Sequence, residues 1–115
     1  MSIIEKKNEL IDEIKNSIEY KEFIEANDNL KKYPEQKISL DEYKKLLIEN
    51  QLGMFLGQDL NEDESEKIDQ IYEEISQYEA VNNFLNAEYK LKNVLQKIYQ
   101  DLNYIIENKE SKDTN

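Results

Sequence analysis

Apolar residues return along this chain every three or four positions, the step that gathers them on one side of an α-helix. The first such stretch runs from Ile3 to Asn16, with Ile3, Ile4, Leu10, Ile11 and Ile14 on one side. Ser17 then either caps a second helix or marks a kink in a continuing one. The second segment carries Tyr20, Phe23, Ile24, Ala26 and Leu30 and ends near Lys32. Tyr33-Pro34 breaks it, because proline disfavours helix at the residue before it and suits the first turn of a new one. The third helix starts at Pro34 or at Ser39, where Ser39-Leu40-Asp41-Glu42 reads as a capping box. It carries Leu40, Tyr43, Leu46, Leu47, Met54 and Phe55, with Gly57 as its stop. Gly53 either permits close backbone approach or marks a helix already fraying. Asn61 with Glu64 opens a fourth helix through Ile68, Ile71, Tyr72 and Ile75, with acidic residues favoured by the dipole in its first turn. A break at Gln77 to Glu79 precedes the longest helix, Ala80 to Asn108. The pattern therefore predicts an all-α, multi-helix bundle of four to five helices with a long C-terminal helix. Residues 1–108 are expected to form a single helical domain, and 109–115, without an apolar anchor, a disordered tail.

The last helix has the most regular spacing. Phe84, Leu91, Ile98 and Ile105 recur every seven residues, as do Val81, Glu88, Leu95 and Leu102. Together they form a heptad seam, apolar except at Glu88, of the kind that packs helices or joins subunits. An earlier segment echoes it: Tyr20, Phe23, Ala26 and Leu30 share the spacing of Val81, Phe84, Ala87 and Leu91. Both copies of the template place a polar residue in the seam, Asn27 and Glu88. Either the two make a polar contact that fixes register or partner choice, or the echo reflects common helix grammar. The run Leu52, Met54, Phe55, Leu56 is hard to bury on one helix face, and part of it is expected to meet a second subunit. The predicted protein interface is thus Phe84, Glu88, Leu91, Leu95, Ile98, Leu102 and Ile105, with Met54 and Phe55.

Composition narrows the chemistry. The 115 residues suit one domain, and only two glycines and one proline leave too few turn residues for a sheet protein. With 36% charged residues and a net charge of −11, composition alone leans toward disorder, but the regular apolar spacing argues for a solvated helical fold. Cysteine, histidine and arginine are all absent. Thiolate and disulfide chemistry are therefore closed, and the usual general base near neutral pH is missing. No side chain offers a bidentate fork to phosphate. No stretch is apolar and long enough to span a membrane, and Met1 to Asn8 does not read as a signal peptide, so a cytoplasmic protein is expected. The acidic surface argues against nucleic acid or anionic lipid as direct partners.

The run Tyr78-Glu79-Ala80-Val81-Asn82-Asn83-Phe84-Leu85-Asn86-Ala87-Glu88-Tyr89-Lys90-Leu91 resembles the YlbF/YmcA/YheA family of small helical bacterial proteins. Glu19-Tyr20-Lys21 with Ala26, Tyr33-Pro34-Glu35, and the loop from Gly57 to Leu60 add to the likeness, which covers roughly Ile11 to Ile106. The resemblance implies a helical, homodimeric, cytoplasmic protein. Some members assemble with other proteins into a complex that modulates the endoribonuclease RNase Y, and so influence mRNA processing, competence, sporulation and biofilm formation. Complex-forming members can carry cysteines that take part in an iron–sulfur cluster; this chain has none. Its length is nearer the YheA-like branch.

Sites for chemistry are sparse. Asp59-x-Asn61-x-Asp63 matches the opening of a calcium loop, but Glu64 stands where glycine is needed and Gln70 where the bidentate glutamate belongs. Helix capping accounts for the same acids. Carboxylate pairs such as Glu73 and Glu74 are too common among 26 acids to single out a site. Tyr20, Tyr43 and Tyr72 fall on apolar stripes and are expected in the core, while Tyr89, Tyr99 and Tyr104 flank the last seam. The expectation is a regulatory or adaptor protein with no catalytic, metal or cofactor site, binding itself and other regulatory proteins. An acidic mimic of nucleic acid that occupies a basic protein's site is the alternative.

Overall fold

The computed structural model describes residues 2–58 and 62–107, which form five α-helices and, among those residues, no strand. They are α1 (Ile3–Lys15), α2 (Ile18–Leu30), α3 (Pro34–Phe55), α4 (Glu62–Ile75) and α5 (Glu79–Glu107). The all-α class read from the apolar spacing is the one observed.

Local chemistry explains each boundary. Ser2 caps α1 in a capping box: its hydroxyl accepts from the Glu5 amide at 3.1 Å, and the Glu5 carboxylate accepts from the Ser2 amide at 2.8 Å. Of the two readings of Ser17, the structure has the cap. Its Oγ accepts from the Tyr20 amide at 3.3 Å and donates back to the Ile14 carbonyl, so α1 and α2 are separate helices. Of the two starts for α3, Pro34 is the observed one, as first residue after a non-helical Tyr33 (φ −126°, ψ 72°). Ser39 consequently lies one turn inside, and its hydroxyl donates to Glu74 Oε2 on α4 at 3.4 Å instead of capping. Helix α3 closes in a Schellman turn. The Gln58 amide donates to the Gly53 carbonyl and the Gly57 amide to the Met54 carbonyl. Gly57 adopts φ +85°, a backbone setting that favours glycine. The cap expected at Asn61 and the tail at 109–115 lie outside the described residues.

Contacts gather the chain into two compact units. One holds α1, α2 up to Phe23 and α5 from Asn86; the other is Ile24–Leu85. In the second unit α3 packs along α4, and the buried residues are Leu30, Leu40, Ile75, Ala80, Val81 and Phe84. Tyr43 and Tyr72 meet across α3 and α4 with ring centroids 5.7 Å apart. Lys44 on α3 sets its ammonium 5.0 Å from the Phe84 ring centre, a cation–π contact that ties α3 to the start of α5. Glu74 Oε2 also accepts from the Tyr78 hydroxyl at 3.3 Å, so one carboxylate serves a residue before α4 and one after it. In the first unit the buried residues are Ala87 and Leu91. Helix α1 has none.

Candidate protein-interaction surface

Burial on helix α5 falls off along its length. Ala80, Val81, Phe84, Ala87 and Leu91 are buried, and Val94 and Ile98 are half-buried. Toward the C-terminal end Leu95, Tyr99, Leu102 and Ile106 are 42%, 66%, 58% and 73% exposed. A seven-residue repeat drifts only about 20° per heptad on a straight helix, so the seam keeps to one side and what changes along it is the cover. The residues expected to form a single interface are accordingly divided. Phe84 and Leu91 are buried within the chain and Ile98 is half-buried, whereas Leu95, Leu102 and Ile105 are open to a partner. Tyr99 and Ile106 complete the exposed stripe; their four-three-four spacing with Leu95 and Leu102 was the legible signal for it.

The polar seam positions are both half-buried. Glu88 lies 3.8 Å from the Lys92 ammonium one turn on, an ion pair along the helix. Asn27 sits in the second unit and Glu88 in the first. Of the tyrosines, Tyr20 and Tyr43 are half-buried, but Tyr72 is 52% exposed: its ring covers Tyr43 while its outer edge meets solvent. Burial, then the neighbouring Tyr72 and Asp69, raise the Tyr43 pKa above its ordinary value. Tyr89, Tyr99 and Tyr104 are all exposed, and of the three only Tyr99 lies in the α5 stripe.

At the end of α3, Leu52, Met54, Phe55 and Leu56 are all exposed, Phe55 most of all at 86%. Apolar residues on every side of α3 cannot all face α4, and this last group is left exposed. Beside it a cleft of ≈ 340 Å³ opens between α3 and α4, lined by Leu46, Asn50, Gly53, Met54, Gln58 and Ile68 with the charged Glu49, Glu64 and Lys67 at its wall. The apolar residues Ile3 and Ile4 of α1 are exposed as well, which their one-sided spacing did not foretell.

Charge is unevenly spread. Ile24–Leu85 carries 15 of the 26 acids and 6 of the 15 lysines, a net charge of −9, leaving −2 for the remainder. Among the described residues no group of three or more acidic side chains is arranged to hold a metal ion, and no helix is long and apolar enough to cross a membrane.

Comparison with known proteins bears on these surfaces. Residues 3–107 match the family model described as control of competence regulator ComK, YlbF/YmcA. UPF0342 proteins of Staphylococcus aureus strains JH9, Newman and COL are each 31% identical to this chain over 93 residues, covering 81% of it and 82% of their own length. No solved structure matches the chain significantly. With its whole described helical region inside the match, the chain belongs to the YlbF/YmcA family, that of control of competence regulator ComK.

Proposed function

We propose that this chain is a non-enzymatic regulatory adaptor that works by binding proteins, itself and other regulators included. The observation that carries the reading is the exposure of large apolar side chains in two places, Leu52 to Leu56 on α3 and Leu95 to Ile106 on α5. Chains that act alone seldom leave such patches open. The family's description as a control of competence regulator supports the regulatory part. The likeness to members that modulate RNase Y supports a cytoplasmic role linked to mRNA processing, competence, sporulation or biofilm formation.

The reading is tested by recovering a tagged chain from its native bacterium and identifying companions by mass spectrometry. RNase Y or its associated proteins are expected among them, and Phe55→Glu should cut their recovery at least tenfold while circular dichroism stays unchanged. Recovery should depend little on salt, because apolar contacts are not screened. Binding that collapses as salt rises would favour the acidic mimic, and a chain that recovers no other protein would end the adaptor reading.

A further inference from the structure

We infer that the cleft between α3 and α4 seats an amphipathic helical segment of a partner protein, apolar on one face and bearing lysine or arginine on the other. The inference rests on the adaptor reading and names the chemistry of one partner. Leu46 and Ile68 line the cleft half-buried, and Met54 lines it while 58% exposed. The exposed Leu52, Phe55 and Leu56 lie within one turn of Met54. Apolar surface therefore extends past the edge of the cleft, which suits a segment of protein better than a small molecule. A helix with apolar side chains three and four residues apart covers such a surface. At ≈ 340 Å³ the cleft itself takes side chains and not the helix that carries them.

Gly53 is the second feature. It lies in ordinary helical backbone inside α3, where glycine is not required and costs stability relative to alanine. What its missing side chain gives is room. Gly53 lines the cleft, and a Cβ there would come to 3.2 Å from Gln58 Oε1. Close approach by a neighbouring element, one of the two readings of this glycine, is what the space permits.

Charge selects the partner. Residues 46–58 and 62–68, which supply both walls, hold five acids and one lysine, a net charge of −4. The dipole of α4 accounts for Glu62, Asp63 and Glu64 in its first turn, but Glu49 and Glu66 lie outside that turn. Glu49, Glu64 and Glu66 are exposed and make no ion pair among the described residues. Helix α3 adds the negative end of its own dipole, with no basic residue in its last turn to offset it. A second copy of the chain, at −11, is the wrong occupant for such a rim. Lysine or arginine beside the apolar side chains complements it.

The test uses the purified full chain and a fluorescent peptide of about 14 residues, roughly four helical turns, with leucine on one face and lysine on the other. Anisotropy should show binding at micromolar concentration. A peptide with glutamate for lysine, and one with serine for leucine, should each bind about tenfold more weakly or worse. Raising salt from about 50 to about 500 mM should weaken the first peptide by no more than about tenfold, because its leucines fill the cleft. Gly53→Leu fills the cleft without altering charge, and Glu49→Lys with Glu64→Lys reverses the rim. Each should lower affinity about tenfold or more with unchanged circular dichroism. Leu102→Glu on α5 should leave it unchanged.

Equal binding of the glutamate peptide would overturn the inference. So would a serine peptide that binds as well as the first, or complete loss of binding in high salt, since either means ionic contact alone. Cleft variants that bind normally, or a Leu102→Glu variant that does not, would place the site elsewhere and overturn it too. A chain that binds no peptide but still recovers protein partners keeps the adaptor reading and overturns this inference. A chain that takes the peptide in this cleft yet recovers no protein removes the adaptor reading and keeps the inference.

Discussion

A single carboxylate shows how much one side chain adds. Glu74 accepts hydrogen bonds from Ser39 and Tyr78 on its Oε2. Burial, and after it the Glu74 charge and hydrogen bond, raise the Tyr78 pKa above 10.0. Tyr43 is raised as well, first by burial. Both phenols hold their protons to higher pH when folded than when unfolded. The stability they lend is present below pH 10.0 and is lost as the pH climbs through and above that value. In urea titrations across this range, Glu74→Gln should lose stability less steeply above pH 10.0 than the unaltered chain, because a neutral amide no longer disfavours the Tyr78 phenolate. None of this was legible beforehand: Ser39 in sequence is a good cap, and only the arrival of Pro34 at the first helical position gives it other work. Apolar identity told which residues of α5 seek cover. It did not tell that Phe84 and Leu91 find it inside the chain while Leu95 and Leu102 do not.

Helix boundaries were the most legible features of the chain, since caps and breakers act locally. Gly57 stops α3 and Pro34 starts it because their backbone demands admit few alternatives. Ser17 left two readings open, as a serine before a helical stretch serves equally in a cap and in a bend. Here the cap is made, and Ser17→Ala removes the acceptor for the Tyr20 amide. The loss should cost about 1 kcal/mol, read as a lower urea midpoint with faster amide exchange in the first turn of α2. The run from Leu52 to Leu56 was expected to meet a second subunit, and Leu52, Met54, Phe55 and Leu56 are exposed. The heptad repeat of α5 drifts only about 20° per heptad, so its members share one side of the helix; spacing could not show that the seam is buried up to Leu91 and exposed at Leu95, Leu102 and Ile105.

For the whole molecule, the all-α class followed from spacing and from the scarcity of turn residues, whereas the grouping of helices into units depends on distant contacts that spacing does not encode. The core is small. Among the described residues eight apolar side chains are buried, and six of them lie between Leu30 and Phe84. Phe84 is the largest of these, and Phe84→Ala should cost about 3–5 kcal/mol. A decrease of that size is a large fraction of the stability of such a domain and would show as a greatly lowered or absent thermal transition by circular dichroism. Helix α1 stands at the other extreme, with Ile3 and Ile4 exposed and no residue buried. Thirteen residues are too few to hold a helix firmly by local bonds alone. Such a segment opens readily, and an opened helix is what proteases cleave. The thin anchoring of α1 therefore predicts where limited proteolysis begins: first cuts are expected within α1, ahead of any cut in α3 or α4, as read by mass spectrometry of the fragments.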